Sequence, residues 1–247
     1  RKICYKIMNL KARNIVEANN LTITYPSQKN AILRNFNLTI NQNEHIAIIG
    51  ESGCGKSTFA KSIVQMLPKN TICKGDLIVD RMDLRKISKQ ELKILRRTKI
   101  GFIYQDSIQK LNPLMTVGDH LVDTFKAHDD SEPTNNLVAK AKILLEKVGI
   151  DPLRFKSFPH EFSGGMRQRV AIALAICLKP SLIIADEPTT SLDTIIADQI
   201  MSELSLLCDE IGTALLLITH DLSMAYKWCN KIAIINDGQI VESGNIK

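Results

Sequence analysis

The sequence contains few aromatic residues, no long apolar run and no closely spaced cysteine pair. Aromatics make up 5% of the 247 residues, with one Trp and four Tyr, so no stacked aromatic platform for nucleic acid is indicated. No stretch approaches the roughly 18 consecutive apolar residues that a membrane span requires. The six cysteines lie far apart without a Cys-x-x-Cys pair, which argues against a zinc site or a disulfide scaffold and fits a reducing compartment.

The overall composition is that of a globular protein with a basic bias. Apolar residues make up 45% and charged residues 23%, and the net charge is +6. Basic residues cluster only over 81–99, around a helix predicted at 88–97, where a solvated helix face is favoured over a phosphate or lipid contact. Residues 1–13 are basic but no apolar run follows them, so we expect no secretory signal.

Apolar runs alternate with helical patterns along most of the chain. Strands are predicted at 21–25, 36–40, 45–49, 75–79, 100–104, 182–185, 214–219, 231–236 and 239–241, and helices at 57–67, 88–97, 169–178 and after residue 193 up to Gly212. Between them, residues 106–179 carry turn residues, an acidic loop and helical spacing that ends at Gly149. This pattern predicts a mostly parallel sheet with flanking helices, interrupted by a helical insert.

A glycine-rich turn carries the most specific signal in the sequence. Its residues, GESGCGKS at 50–57, match the phosphate-binding pattern G-x-x-x-x-G-K-[ST], and they lie between an apolar strand and a helix. Glycines allow successive N–H groups to face one anion, and the helix N-terminus adds partial positive charge. We expect Lys56 to reach the β- and γ-phosphates and Ser57 to coordinate Mg²⁺. The predicted nucleotide contacts of this segment are Gly50, Glu51, Ser52, Gly53, Cys54, Gly55, Lys56, Ser57 and Thr58.

Two adjacent acidic residues follow a second apolar strand, LIIADE at 182–187. Asp186 is predicted at the carboxyl end of that strand, where open α/β sheets bind ligands, and it suits the Mg²⁺ shell. Glu187 is the candidate general base that polarises the attacking water. An exposed acidic turn is the alternative interpretation. A carboxylate placed to orient water favours hydrolysis over transfer to a hydroxyl group.

A third motif, FSGGMRQ at 162–168, precedes the helix predicted at 169–178. The hydroxyl of Ser163, the backbone N–H groups of Gly164 and Gly165 and a helix N-terminus form a second candidate anion site. A serine N-cap before a core helix is the alternative. With the two motifs above in this order, the chain resembles the ATP-binding subunits of ABC (ATP-binding cassette) transporters over about residues 15–244. The family's commonest signature is LSGGQ, so Phe162 and Met166 depart from it.

The resemblance implies a fold and an assembly. The fold is α/β, a P-loop NTPase core of mostly parallel sheet with an antiparallel β subdomain and an inserted α-helical subdomain. Residues 1–247 then form a single nucleotide-binding domain, with the core at 15–105 and 180–247 and the helical subdomain at 106–179. Two such domains pair head to tail, so that Ser163 and Gly165 of one chain contact the γ-phosphate held by Lys56 of the other.

The resemblance also implies roles for four further residues. Tyr25 matches the aromatic that stacks on adenine, a tyrosine packed on the core being the alternative. Gln105 matches the glutamine that contacts Mg²⁺ and water and begins the link to the helical subdomain. Asp193 lies in the segment that matches the loop crossing the dimer interface. His220 matches the histidine that contacts the γ-phosphate and is placed with Glu187 and Gln105 among the catalytic residues.

Three segments narrow the resemblance within the family: LNPLMTVG at 111–118, SGGMRQR at 163–169 and PTTSLD at 188–193. They are similar to the ATPases of bacterial dipeptide, oligopeptide and nickel importers. The implied activity is hydrolysis of ATP with Mg²⁺ at the cytoplasmic face of the cell membrane. The implied partners are a second ATPase subunit, identical or related, transmembrane permease subunits and, indirectly, an extracytoplasmic solute-binding protein.

Two other functions are weighed against this one. A soluble ABC ATPase acting on nucleic acid or ribosomes would be expected to carry a second cassette or a long coiled coil, and the sequence has neither, so no nucleic acid partner is expected. A P-loop kinase would not explain the helix that begins with Ser163. The importer ATPase is therefore the favoured hypothesis.

Overall fold

Two β-sheets organise the residues that the structure, a computed structural model, describes: 13–105, 111–190 and 192–246. The strands are β1 (Asn14–Thr24), β2 (Leu33–Asn41), β3 (His45–Ile49), β4 (Ile72–Val79), β5 (Met82–Asp83), β6 (Ile100–Ile103), β7 (Leu182–Asp186), β8 (Ala214–Thr219), β9 (Lys231–Asn236) and β10 (Gln239–Asn245). One sheet has the order β10-β9-β3-β8-β7-β6 and is parallel except between β9 and β10. The other is antiparallel, with the order β2-β1-β4-β5.

The inner parallel strands are apolar along their length because both faces of their sheet are covered. Along β8, Leu215 and Leu217 pack into one core cluster, whereas Leu216 and Ile218 pack into another on the opposite face. The same alternation holds along β3 and β7. This explains why these strands are continuous apolar runs in the sequence, and why their bounds are the easiest to predict.

The carboxyl ends of the inner strands meet at one edge of the parallel sheet. Ile49, the last residue of β3, pairs with Thr219, the last residue of β8, and Asp186 at the end of β7 pairs with Ile218. The observed bounds of β3 and β8 are those predicted, and β7 extends one residue further, to Asp186. The segments that follow these three strands are therefore brought together.

Helices cover both faces of the parallel sheet. The α-helices of the described residues are α1 (Lys56–Ile63), α2 (Lys89–Ile94), α3 (Val117–His128), α4 (Thr134–Lys147), α5 (Gly164–Ile176), α6 (Thr194–Ile211) and α7 (Leu222–Trp228). On one face, α1 also packs against the antiparallel sheet, where the rings of Phe36 and Phe59 lie 4.6 Å apart, centre to centre. The antiparallel sheet is therefore fixed against the first helix of the core.

The helices α3, α4 and α5 form a layer that shares its core with the other face of the parallel sheet. Leu121 of α3 and Leu145 of α4 are fully buried in the same cluster as Ile172 of α5 and Ile183 of β7. Helices are thus present where the insert is predicted. Its bounds, 106–179, stay a prediction, and residues 106–110 lie outside the described residues. Within the described ranges, every helix is too short or too polar to cross a bilayer.

Helix α1 ends earlier than the sequence predicts. The expected end is at residue 67, before Pro68, but α1 ends at Ile63 and Gln65 has a left-handed backbone with φ of +51°. The guanidinium of Arg96 donates to the carbonyls of Val64 (2.7 Å) and Gln65 (2.7 Å). A side chain 31 residues further along thus satisfies the carbonyls at the helix end, a contact that local sequence does not reveal.

Helix α5 begins earlier than predicted, and α3 is a helix that the sequence analysis misses. The expected start of α5 is at residue 169, but the helix begins at Gly164, with Ser163 as its N-cap. For α3 the signal is present, because Thr116 and Asp119 form a capping box. The basic helix predicted at 88–97 is also shorter than expected. Helix α2 ends at Ile94, and a π-helical turn follows over Leu95–Lys99.

Gly101→Ala is expected to destabilise the protein by about 1–3 kcal/mol, the usual cost of overpacking. A Cβ on Gly101 of β6 would lie 2.3 Å from the carbonyl oxygen of Ala175 in α5, and backbone does not yield as a side chain does. Urea unfolding measures the change. Gly244→Ala in β10 is the control, because a Cβ there meets no atom within 4 Å. Equal stability of the two variants would contradict the close packing of α5 on β6.

Candidate functional site

A cleft of about 880 Å³ lies at the carboxyl edge of the parallel sheet. It is bounded by the glycine-rich loop after β3, the segment after β6 and the acidic segment after β7. The predicted residues that line it are Tyr25, Ser52, Gly53, Cys54, Gly55, Lys56, Ser57, Thr58, Gln105, Glu187 and His220. The structure therefore brings most of the predicted site into one cavity.

The glycine-rich loop requires glycine at two positions, at one because of its backbone conformation and at the other because a side chain has no room. Gly55 precedes α1 with φ of +111°, and no side chain caps the first N–H groups of that helix. Gly50 has no room for a side chain, since a Cβ would lie 2.3 Å from the carbonyl oxygen of Ile235. The helix N-terminus consequently opens towards the cleft, where an anion would satisfy it.

The ammonium group of Lys56 is held inside the loop. It donates to the carbonyl oxygens of Gly50 (2.6 Å) and Glu51 (2.8 Å), and the residue is buried. Both acceptors are neutral, so they orient the ammonium group without neutralising its charge. A cleft with a buried cation and an open helix N-terminus fits a phosphate chain.

Ser57 and Asp186 join the first turn of α1 to the end of β7. The hydroxyl of Ser57 donates to Oδ1 of Asp186 at 3.0 Å. Burial raises the pKa of the Asp186 carboxyl, and the nearby Glu187 adds to this, whereas the hydrogen bond from Ser57 and the charges of Lys61 and Lys56 act in the opposite direction. A hydroxyl and a partly desolvated carboxylate are oxygen ligands of the kind that Mg²⁺ prefers, so this pair fits that ion.

Glu187 is held between an imidazole and a hydroxyl at the rim of the cleft. Its two carboxylate oxygens lie 2.9 and 3.0 Å from Nδ1 of His220, and the hydroxyl of Thr190 donates to Oε2 at 3.2 Å. The backbone of Glu187 is left-handed, with φ of +50°. The arrangement leaves His220 exposed and Glu187 largely covered, so the carboxylate is the fixed member of the pair.

Tyr25 and Gln105 both line the cleft. The hydroxyl of Tyr25 is 3.0 Å from Oγ1 of Thr58, which anchors the ring beside the first turn of α1. Gln105 is exposed and lines the cleft directly after β6. Stacking of Tyr25 on a base and contact of Gln105 with a metal or water stay predictions.

The remaining predicted residues do not line this cleft. Ser163 accepts a hydrogen bond from the N–H of Met166 (3.4 Å) as the N-cap of α5, which Gly164 and Gly165 begin. Asp193 accepts from the N–H of Ile196 (3.0 Å) as the N-cap of α6. Ser163 and Asp193 thus each cap a helix, which for Ser163 is the alternative interpretation given above. Neither residue lines the cleft that holds Lys56 of the same chain.

Several residues at the site are not predicted from the sequence. The hydroxyl of Thr190 donates to the backbone carbonyl and to the carboxylate of Glu187. The two residues are three positions apart, a spacing that a turn brings into contact, and this spacing could have predicted the contact. Others line the cleft through tertiary packing: Gln28, Asn30, Ala31 and Ile32 between β1 and β2, and Asp237 and Gly238 between β9 and β10. The β9–β10 hairpin is predicted, but its approach to the loop after β3 depends on the register of two strands far apart in sequence.

A profile of the family described as ABC transporter matches residues 33–190, more than half of the chain. The match includes the glycine-rich loop, the segment 162–168 and the acidic pair after β7. The chain belongs to the ABC transporter family. The predicted resemblance is thereby confirmed.

Similar curated proteins are ATP-binding proteins of oligopeptide transport. The chain is 38% identical to the oligopeptide transport ATP-binding protein OppD of Bacillus subtilis, over 96% of this chain and 68% of the relative. It is 36% identical to OppD of Salmonella typhimurium, over 96% of this chain and 71% of that protein.

Solved structures of cassettes share the fold over nearly the whole chain. A dimeric, post-hydrolysis state of the ATP-binding cassette MJ0796 bound to ADP and Pi has a TM-score of 0.82 and 29% identity, covering 94% of this chain and 99% of that one. CbiO1 of Clostridium perfringens, part of the ABC transporter complex cbiONQ, has a TM-score of 0.83 and 27% identity, covering 95% and 90%. The predicted fold class, an α/β ABC cassette, is confirmed.

Asp186→Asn is expected to raise the free energy of unfolding of the ligand-free protein at pH 7. The folded state raises the pKa of this carboxyl above its ordinary 3.8, so the ionised group destabilises the fold as the pH rises through the window between the unfolded and folded pKa. An amide keeps an acceptor for Ser57 and has no such cost.

Urea unfolding between pH 4 and 8 without Mg²⁺ measures this effect. The gain should be largest at pH 7 and shrink as the pH falls towards 4. Asp130→Asn, at an exposed position, is the matched control. A variant less stable than the parent chain at pH 7 would contradict the desolvation cost.

Proposed function

We propose that this chain is the ATP-binding and ATP-hydrolysing subunit of an ABC importer, and that the imported solutes are peptides. The observation that carries the proposal is the position of Glu187, whose carboxylate is fixed by His220 and Thr190 at the rim of a cleft that holds Lys56. The names of the relatives favour peptides over nickel chelates, the other solute class considered.

Binding of ATP is supported by the charge distribution of the cleft. The ammonium group of Lys56 and the uncapped N-terminus of α1 offer positive charge to the β- and γ-phosphates. The ring of Tyr25, anchored by its hydroxyl to Thr58, is available for the base. Ser57 and Asp186 would hold Mg²⁺ together with Gln105, and the ion would offset the charge of the phosphates when bound.

Hydrolysis needs a group that orients water and accepts its proton. Glu187 is the carboxylate at the rim of the cleft, and its covered position limits rearrangement during the reaction. Nδ1 of His220 fixes the carboxylate, and the exposed remainder of the ring is free to contact a γ-phosphate. Assigning Glu187 as general base and His220 as its partner accounts for both contacts.

A second chain would complete the nucleotide pocket. Ser163, Gly164 and Gly165 lie at the N-terminus of α5, away from the cleft of their own chain, and Asp193 lies in the adjacent loop. Head-to-tail pairing with an identical or related ATPase would place them on the γ-phosphate held by the partner chain. Closure of the pair would then depend on nucleotide, and hydrolysis would reopen it.

The remaining partners follow from the importer assignment. Transmembrane permease subunits would receive the movement through the helices α3–α5, and an extracytoplasmic solute-binding protein would deliver the solute to them. The chain would act at the cytoplasmic face of the membrane. Co-purification with permease subunits rather than with ribosomes tests this assignment.

Glu187→Gln is expected to leave ATP binding intact and to slow hydrolysis by about 10²–10⁴-fold, the usual contribution of a general base. The amide keeps the shape, and its oxygen still accepts a hydrogen bond, but the group accepts no proton. Release of radiolabelled inorganic phosphate is the measurement, with Glu146→Gln on an exposed face of α4 as control. Near-normal turnover would remove Glu187 from the role of base, and transfer of the label to an added acceptor would indicate a kinase.

Lys56→Ala is expected to weaken ATP binding by at least about 30-fold, as loss of a buried charge contact does. Equilibrium binding of a fluorescent ATP analogue measures it. Lys69→Ala is the control. It removes one positive charge, as Lys56→Ala does, but at an exposed position, and it should bind the ATP analogue with normal affinity. Unchanged affinity of the Lys56 variant would place the nucleotide elsewhere.

A further inference from the structure

The first turn of α5 lies directly against the first turns of α6. A Cβ on Gly165 would be 2.9 Å from Cγ2 of Ile196 and 3.8 Å from Cδ1 of Ile200. A Cβ on Gly164 would be 3.4 Å from Cδ2 of Leu192. The absence of side chains at these two glycines therefore allows α5 to approach α6 closely where Ser163 caps α5.

Arg169 fastens the same two helices one turn further along α5. Nη1 of Arg169 forms an ion pair with Oε2 of Glu203 in α6, and it also donates to the carbonyl oxygen of Val148 (2.9 Å) at the end of α4. Gly149 makes room for this contact, because a Cβ there would lie 2.3 Å from Nη1. One guanidinium group thus joins the end of α4, α5 and α6.

The ion pair between Arg169 and Glu203 is partly buried, which favours a stable contact. The side chain of Arg169 is 17% exposed and that of Glu203 is 33% exposed. The ion pair of Lys147 with Glu210 also joins α4 to α6, but its side chains are 43% and 55% exposed and it does not involve α5. Exposed pairs contribute little, whereas a covered guanidinium with two acceptors has a defined geometry.

Helix α6 connects this contact to the acidic segment of the same chain. It begins at Thr194, directly after the loop that starts with Glu187 and ends with its N-cap, Asp193. Arg169 itself does not line the cleft that holds Lys56. A change at Arg169 would therefore reach Ser163 through α5, and it would not remove a contact with the nucleotide held by the same chain.

We propose that Arg169, through Glu203 and Val148, is a positioning residue that fixes Ser163, Gly164 and Gly165 relative to Glu187 of the same chain. The inference rests on the proposed function, in which those three residues complete the nucleotide pocket of a partner chain. Arg169 then affects how well one chain completes the nucleotide pocket of its partner. It does not affect the affinity of that chain for its own nucleotide.

The test compares Arg169→Gln, Arg169→Lys and Glu203→Gln, each combined with Glu187→Gln so that ATP is not consumed. Lys147→Gln is the matched control, because it removes an α4–α6 ion pair and leaves α5 untouched. Glu203→Gln keeps the shape of the side chain and serves where Arg169→Gln folds poorly. Hydrogen exchange of the amides of residues 164–167 in the monomer, affinity for a fluorescent ATP analogue, and ATP-driven dimerisation are measured for each.

Arg169→Gln and Glu203→Gln are expected to speed exchange at residues 164–167 and to weaken ATP-driven dimerisation, each by about tenfold, the size of a typical coupling between contacting residues. ATP affinity of the monomer and exchange in α1 should stay unchanged, which a general loss of stability would not allow. Arg169→Lys should recover part of the loss, since the ammonium group keeps the positive charge but sits on a side chain one bond shorter than that of arginine.

Two results would overturn the inference and are distinct from failure of the proposed function. Exchange at residues 164–167 that equals that of Lys147→Gln would show that Arg169 does not fix this turn, whether or not the chain dimerises. An equal loss of monomer ATP affinity and dimerisation would make Arg169 a general stability residue. If the Glu187→Gln parent itself does not dimerise with ATP, the head-to-tail pairing fails, and the exchange measurement still decides the role of Arg169.

Discussion

The hydrogen bond between Ser57 and Asp186 is the contact on which the site depends. It joins the first turn of α1, which follows β3 and the glycine-rich loop, to the end of β7, and β8 lies between β3 and β7 in the sheet. The bond forms because the strands are parallel, buried on both faces and in a fixed register, so their carboxyl ends reach one edge together. The cleft, the cation of Lys56 and the acidic pair are all arranged around this bond.

Sequence alone predicts most of the parallel sheet and most of the residues at its edge, and the reason is physical. Strands such as β3, β7 and β8 must be apolar throughout, and the glycine-rich loop must have its glycines at fixed places. Both requirements leave a local signature. The end of α1 leaves none, because it depends on Arg96, and the walls of the cleft near Asn30 and Asp237 depend on how distant loops pack.

The basic segment at 81–99 shows how a charge pattern is resolved by structure. Arg85 forms ion pairs with Asp76 and Asp83, Lys99 pairs with Asp80, and Arg96 satisfies the end of α1. Much of the positive charge that the sequence concentrates there is thus used within the chain. Lys89 and Lys93 of α2 are exposed, and the preference for a solvated helix face over a phosphate or lipid contact stays a prediction.

Some unfavourable features of the ligand-free protein lie at the edge of the sheet where the motifs place the site. Asp186 has a raised pKa, Lys56 has only neutral acceptors, and Glu187 has a left-handed backbone that a glutamate rarely adopts. The raised pKa and the left-handed backbone are costs to the folded state, and a bound Mg²⁺ would offset the first of them. Ser163 and Arg169 have no such cost, because capping and ion pairing satisfy them within the chain. Asp186 and Glu187, which would act on magnesium nucleotide, thus carry costs that Ser163 and Arg169 do not.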